Sequence, residues 1–356
     1  MKLERSSLEF LQIYTHIADT RDVLGDKLKV SIKNHKALFS QFSHDAKLLT
    51  IVDAPFEDNA SYIHLTSPLH SLLKNTDSTH VDIEQGKIKF NNSEYSMEHY
   101  DIVTPDEHAL LSVLESKPDK VITIVDLDKL KISKSFMGIE GLDCLFISNN
   151  YFVTSDMVLT SIVSTSNDLK TPIYLPKAIV FLLGKFADKE IELHFYSRRG
   201  NLNDFYVFRL GIVNVLFPVN KYKLPNLLDE DIKKLYDHKH KARVVKSQME
   251  QVLKRMSIVA VNNPNNRIFI TFQEDKLLVE SRDSNPSKEE VEAVVDKEIK
   301  DRQIVLSCSN LSKALSYLED ENVYLHVADQ KENNRTLKLE DEKHDKKLIH
   351  RLFKDV

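Results

Sequence analysis

One strand-to-helix pattern occurs three times along this 356-residue chain, and it restricts the architecture more than any other feature. The copies are YIHLTSPLHSLLKN (62–75), PIYLPKAIVFLLGKF (172–186) and QIVLSCSNLSKALSYL (303–318). Each begins as a short apolar strand, turns through Ser, Thr, Pro or Asn, and continues with apolar residues at helical spacing. Leu65, Leu69, Leu72 and Leu73 match Leu175, Ile179, Leu182 and Leu183. With one residue inserted, they also match Leu306, Leu311, Ala314 and Leu315. An alternating strand pattern follows each copy, at 80–90, 190–199 and 322–330. Strands also precede them, at 47–54, 143–155 and 267–281.

Further helices are expected at 7–18 and 246–260, where apolar residues recur at helical spacing, with a weaker candidate at 127–136. The chain therefore reads as three α+β units of roughly 115 residues, each the size of one domain. The expected domains are 1–117, 118–240 and 241–356. The charged stretch 227–243 reads as a surface connection. The plainer possibility is that three α+β domains look alike because strand–turn–helix is common.

Several function classes are disfavoured. No run of about 18 apolar residues is present, so no membrane span is supported. The N-terminus MKLERSSLEF lacks an apolar signal core, which argues for a cytoplasmic protein. Cys144 and Cys308 lie far apart without CxxC spacing, which disfavours a disulfide framework or a zinc site. There is no P-loop, GxGxxG or HExxH, and seven glycines are too few for elaborate phosphate loops. No catalytic residues, metal or cofactor are expected. His238 and His240 in DHKHK read as part of a solvated linker, Asp126 and Asp128 as strand-end residues, and the acidic run 288–296 as an exposed face.

Three further segments carry a resemblance. The first is Phe217-Pro218 followed by Leu224-Pro225, an FP-x5-LP spacing. The second is EQVLKRMSIVAVNNPNNRIFITFQEDKLLVES (250–281). The third runs from NPSKEEVEAVVD (285–296) through IVLSCSNLSKALSYLEDENVYLHVAD (304–329). In order and spacing they resemble the bacterial DNA polymerase III beta sliding clamp family, most clearly over 130–330. The resemblance implies an α+β clamp fold of three repeated domains. Two protomers would close head to tail into a ring, with helices lining the hole and sheets outside. It also implies a non-enzymatic processivity factor in a bacterial cytoplasm or an infected bacterial host; the Lys-rich, divergent sequence would suit a phage-encoded or otherwise divergent version. Its partners would be double-stranded DNA without sequence specificity, a DNA polymerase, a clamp loader ATPase and a second copy of the chain.

A ring that holds any sequence needs attraction to phosphate and few base contacts. The segments expected to line the hole carry Lys74, Lys129, Lys131, Lys134, Lys177, Lys185, Lys246, Lys254, Arg255 and Lys313 against Glu9 and Glu250. That is a positive surplus on a chain of net charge −5, so the remainder is strongly acidic. For any one lysine, a solvated helix face is the simpler explanation. By resemblance, Arg21 and the pair Lys134 and Phe136 are expected at DNA, with Ser135 where the family has an aromatic. The resemblance also implies a client-peptide pocket built from Thr154, Leu159, Pro225, Leu348, Ile349 and Leu352. The chain departs from the family there: Val158 replaces an arginine, and LIHRLFKDV replaces the Met-Pro-Met ending. Ordinary strand and turn packing is the competing explanation for Thr154, Leu159 and Pro225. Two other functions remain open: a clamp-like adaptor or inhibitor that does not encircle DNA, and a three-domain α+β enzyme with an unrecognised site.

Overall fold

The computed structural model describes residues 2–17, 26–43, 45–53, 60–90, 93–96, 107–138, 143–148, 150–156, 158–197, 203–219, 230, 232, 238–262, 266–282, 286–328, 336–343 and 346–351. It forms two compact units. The first comprises residues 1–128 and 175–221, the second residues 129–174 and 222–356.

The first unit holds two antiparallel sheets. The smaller runs β1 (Lys2–Glu4), β6 (His80–Glu84), β7 (Lys87–Phe90), β8 (Ser93–Ser96). The larger begins β5 (Ala60–Leu65), β2 (Lys27–Lys33), β3 (Lys36–Phe42), β4 (Lys47–Asp53) and continues β16 (Val213–Pro218), β15 (Phe205–Leu210), β14 (Ile191–Tyr196), β9 (Lys120–Ile124). The two quartets meet where β4 pairs with β16, with Leu49 opposite Asn214 and Leu48 opposite Val215. Asn34 and His35 both take positive φ (52° and 59°) between β2 and β3. That is the geometry of a two-residue turn matched to the twist of a hairpin.

The twelve-stranded sheet is made of three such quartets in a row. They are β13 (Ile173–Pro176), β10 (Cys144–Ser148), β11 (Tyr151–Ser155), β12 (Leu159–Ser164); then β24 (Lys346–Arg351), β23 (Thr336–Asp341), β22 (Asn322–Val327), β17 (His240–Val245); then β20 (Ser287–Val295), β19 (Lys276–Ser281), β18 (Arg267–Phe272), β21 (Gln303–Ser307). Here the β12–β24 pair joins two quartets, with Ser161 opposite Leu348.

The helices are α1 (Leu11–Tyr14), α2 (Thr66–Lys74), α3 (Glu107–Leu114), α4 (Leu130–Ser133), α5 (Lys177–Phe186), α6 (Lys246–Val259) and α7 (Cys308–Leu315). The strand-to-helix repeat is realised as β5–α2, β13–α5 and β21–α7. Its apolar spacing becomes the buried stripe of each helix: Leu69 and Leu73, then Ile179, Leu182 and Leu183, then Leu311, Ala314 and Leu315. In the second unit this stripe packs with Met249, Val252, Leu253 and Met256 of α6 into one core. Each leucine, isoleucine, valine or methionine among them removed from water stabilises the fold by about 1.5–3 kcal/mol.

Three expectations need correction. The helix expected at 7–18 is a 3-10 turn over Arg5–Leu8 followed by the single turn α1. The Thr15 hydroxyl donates to the carbonyl of Gln12 beyond it, a local bond that competes with helix propagation. The connection expected at 227–243 already contains the start of β17. His238 is not solvated either: it is buried, and its Nε2 lies 2.9 Å from the Thr336 carbonyl and 3.1 Å from its hydroxyl.

Candidate nucleic-acid interface

Helix α2 exposes Lys74, α5 carries exposed Lys185 and half-buried Lys177, and α6 exposes Lys254 and Arg255. Half-buried Lys313 lies on α7. Ion pairing sorts these six. The Arg255 guanidinium forks onto Glu289 of β20, with Nε at 2.8 and 3.0 Å from its two carboxylate oxygens. This holds the Glu289 carboxyl below its ordinary value. The Lys313 ammonium lies 3.5 Å from Asp156 and 5.0 Å from the centre of the Phe136 ring. Among the described residues, Lys74, Lys177, Lys185 and Lys254 have no carboxylate partner. Lysines on several strands, by contrast, are matched: Lys87 to Glu94, Lys89 to Glu84 and Lys276 to Glu290. Such exposed pairs contribute little to stability, but they neutralise the sheet surface.

In the first unit two histidines join the lysines. Lys185 Nζ lies 2.6 Å from His16 Nε2, and His16 Nδ1 lies 2.9 Å from the Gln12 carbonyl. The His16 ring also meets Phe186 edge-on, with centroids 5.1 Å apart. On α2, His70 has its pKa lowered, first by burial and then by the charges of Lys74 and His16. Three pieces of chain, the end of α1, α2 and α5, thus bring cations and imidazoles together in the first unit.

In the second unit β11, β12 and β24 lie side by side. Thr154 donates its hydroxyl to the Ser133 carbonyl at 2.8 Å. Asp156 accepts the backbone N–H groups of Val158 and Leu159 at 3.0 and 2.7 Å, a turn that sets the start of β12. Thr154, Leu159 and Leu348 share a face of adjacent strands and are 2%, 0% and 1% exposed. Leu159 and Leu348 belong to the core, together with Phe136.

Comparison with solved structures fits this arrangement of quartets. The DNA polymerase III beta subunit of Thermotoga maritima superposes with a TM-score of 0.79 at 12% identity, covering 100% of this chain and 99% of that one. The Pseudomonas aeruginosa beta subunit gives 0.77 at 13% identity and full coverage of both. The Caulobacter crescentus protein gives 0.77 at 10% identity over 99% of each. The fold is that of the bacterial beta sliding clamps. At the level of sequence, no family model and no curated protein matches the chain.

Within the clamp fold, the site residues expected from the sequence fall into groups. Arg21, Pro225 and Leu352 lie outside the described residues. Lys134 and Ile349 are described by backbone alone, in a 3-10 turn and in β24. Phe136 corrects its expectation. It is fully buried against Tyr317, at 4.8 Å between ring centres, and supports Lys313 from beneath instead of facing DNA. Thr154, Leu159 and Leu348 are brought together, but as packed core. His16 and His70 were missed by sequence reasoning. The signal for His70 was its place four residues before Lys74, on the same helical face.

Among the described residues, no group of three or more His, Cys, Asp or Glu is placed to hold a metal, and no helix is long and apolar enough to cross a membrane. Burial pushes the thiols of Cys144 and Cys308 up to about 11, which leaves them poor nucleophiles.

Proposed function

We propose that this chain is a DNA sliding clamp, a non-enzymatic processivity factor of three domains (1–117, 118–240 and 241–356), two copies of which close head to tail around duplex DNA. The observation that carries this reading is the quartet pattern. Six four-stranded groups share one construction; they are joined between domains at β4–β16 and β12–β24, and within the third at β17–β20. The equivalent third junction would use β8 and β20. Strand β8 ends its sheet, and the Ser287–Glu292 part of β20 pairs with β19 on one side. Unmatched strand edges of this kind invite pairing with another chain. Pairing β8 of one copy with β20 of the next, twice over, closes a ring and covers both of these edges.

The charge pattern supports the same reading. Cations without carboxylate partners among the described residues lie on α2, α5 and α6, the helices assigned to the bore. Phosphate attraction of this kind holds DNA without reading sequence. Clients such as a DNA polymerase and a clamp loader are assigned to the β12–β24 junction, where Val158 is 39% exposed beside buried Leu159. Amide exchange in β12 and β24 should slow when polymerase is added. Unchanged exchange there would remove the client assignment.

Light scattering across a dilution series tests the ring. A mass of two chains is expected. A strict monomer at high concentration would instead favour an adaptor that carries the clamp fold without encircling DNA.

A further inference from the structure

The β4–β16 and β12–β24 junctions are entered through matching turns. At the first, the Ser43 N–H donates to the Ala46 carbonyl at 2.8 Å, and the Ser43 hydroxyl oxygen accepts the Ala46 N–H at 3.1 Å. At the second, the Asp156 N–H donates to the Leu159 carbonyl at 3.0 Å, and the Asp156 carboxylate accepts the Leu159 N–H at 2.7 Å. The next residues, Lys47 and Thr160, lie opposite Leu216 of β16 and Ile349 of β24. Ala46 therefore holds in the first unit the position that Leu159 holds in the second. Leu159 is fully enclosed, whereas the shorter Ala46 borders a cavity of about 280 Å³.

The cavity has an apolar lining and a charged one. Leu110 of α3, Phe205 of β15, and Leu216 and Phe217 of β16 form the apolar part, each buried. An apolar space of about 150 Å³ is enough for benzene, and sites for drug-sized ligands begin near about 300 Å³. A volume of about 280 Å³ thus suits one or two large apolar side chains better than a nucleotide or cofactor. The charged part is Lys47 and Asp204. The Lys47 ammonium lies 5.9 Å from the centre of the Phe42 ring and has no carboxylate partner among the described residues. Burial lowers its pKa, so an incoming carboxylate restores favourable interaction to a partly desolvated cation. Asp204 acts instead on Tyr206, whose pKa is raised by burial and then by this charge.

We propose that this cavity is a second docking site for partner proteins, one that takes a short peptide whose aromatic or large aliphatic side chain enters beside an acidic residue paired with Lys47. Size selects the apolar side chain, and the unmatched cation selects the acid. Asp204 offers an acceptor for a backbone N–H of the same peptide. The site goes beyond the client assignment at β12–β24, where Leu159 occupies the matching position. All of its lining belongs to the first unit, and it needs neither ring closure nor DNA. It and the clamp reading can therefore fail separately.

Amide NMR shifts of the full chain, titrated with capped peptides, test the site. The probe is acetyl-Gly-Asp-Phe-Gly-amide, with counterparts carrying Lys for Asp or Ala for Phe. Saturable shifts at Ala46, Leu48, Phe205 and Phe217 are expected with the Asp-Phe peptide. Binding should be several-fold weaker with the Lys-Phe peptide and absent with the Asp-Ala peptide. Ala46→Leu should fill the cavity and abolish the shifts. Lys47→Glu should reverse the preference, so that the Lys-Phe peptide binds more tightly than the Asp-Phe peptide, a swap that damage to the fold does not produce. An unchanged preference in Lys47→Glu overturns the site, as does the absence of shifts with the Asp-Phe peptide in the wild type. Shifts confined to β12 and β24 also overturn it, and leave the client assignment there standing.

Discussion

Burial settled several residues that spacing could not. Leu159 looked like a pocket wall from its distance to Thr154, yet it is fully enclosed at the start of β12. Leu159→Asp is therefore expected to destabilise the fold by about 4 kcal/mol, the cost of an unpaired charge in a packed core. Urea unfolding measures this, and a variant as stable as wild type would return Leu159 to the pocket. Phe136 was misplaced for a related reason: its partner Tyr317 lies far along the chain, and no local pattern announces such a contact. The pairing of Arg255 with Glu289 was equally hidden, because opposite charges 34 residues apart meet only once α6 lies over β20.

Glu340 yields a prediction at the same scale. It is 4% exposed on β23, with His326 Nε2 at 2.9 Å, Lys338 Nζ at 3.1 Å and Lys347 Nζ at 3.6 Å. Burial alone would raise its pKa, but the His326 hydrogen bond and the Lys338 charge outweigh burial and hold it at about 2. Its folded value thus lies below the ordinary 4.5, so its stabilisation is present above that value and fades as the pH falls toward 2. His326, lowered from 6.5 chiefly by burial, adds a loss that begins as the pH drops below 6.5. Thermal unfolding followed from neutral pH to about pH 3 should show the melting temperature falling, with a shallower acid limb in Glu340→Gln. Equal slopes for the two proteins would contradict this account.

Elements were more legible than residues. Each strand-to-helix copy is contiguous in sequence, so its periodicity survives without tertiary knowledge, and β5–α2, β13–α5 and β21–α7 all appear where the repeat placed them. The long helix α6 was equally plain, whereas the acidic run 288–296, read only as an exposed face, is the strand β20. Short pieces such as α1 were overextended, because a single turn stops on local hydrogen bonds that hydrophobic spacing does not register. The three repeat helices also differ at their starts. Ser307 accepts the Asn310 N–H at 3.3 Å, whereas Leu65 and Pro176 provide no side-chain cap. Ser307→Ala should cost about 1 kcal/mol, measured by denaturant midpoint. No change would mean that the tertiary packing of α7 carries its N-terminus unaided.

For the whole molecule, the fold was foreshadowed by the threefold repeat and by three resembling segments, and the superpositions agree with it. The assembly was not legible, since the strength of an interface between copies is written in no single chain. If β8 closes the ring, Tyr95→Pro should convert a dimer to a monomer, because proline removes a backbone donor and blocks strand addition. Light scattering reads this directly, and an intact dimer would exclude β8 from the closure.

The account rests most heavily on encirclement, and topological retention on DNA tests it most directly. Protein loaded onto a nicked circle should remain bound through a high-salt wash and be released when the circle is cut to a linear form, because a ring is held by topology once charge attraction is screened. Equal loss from the circle and the linear form in high salt would contradict a ring and leave only surface attraction to phosphate.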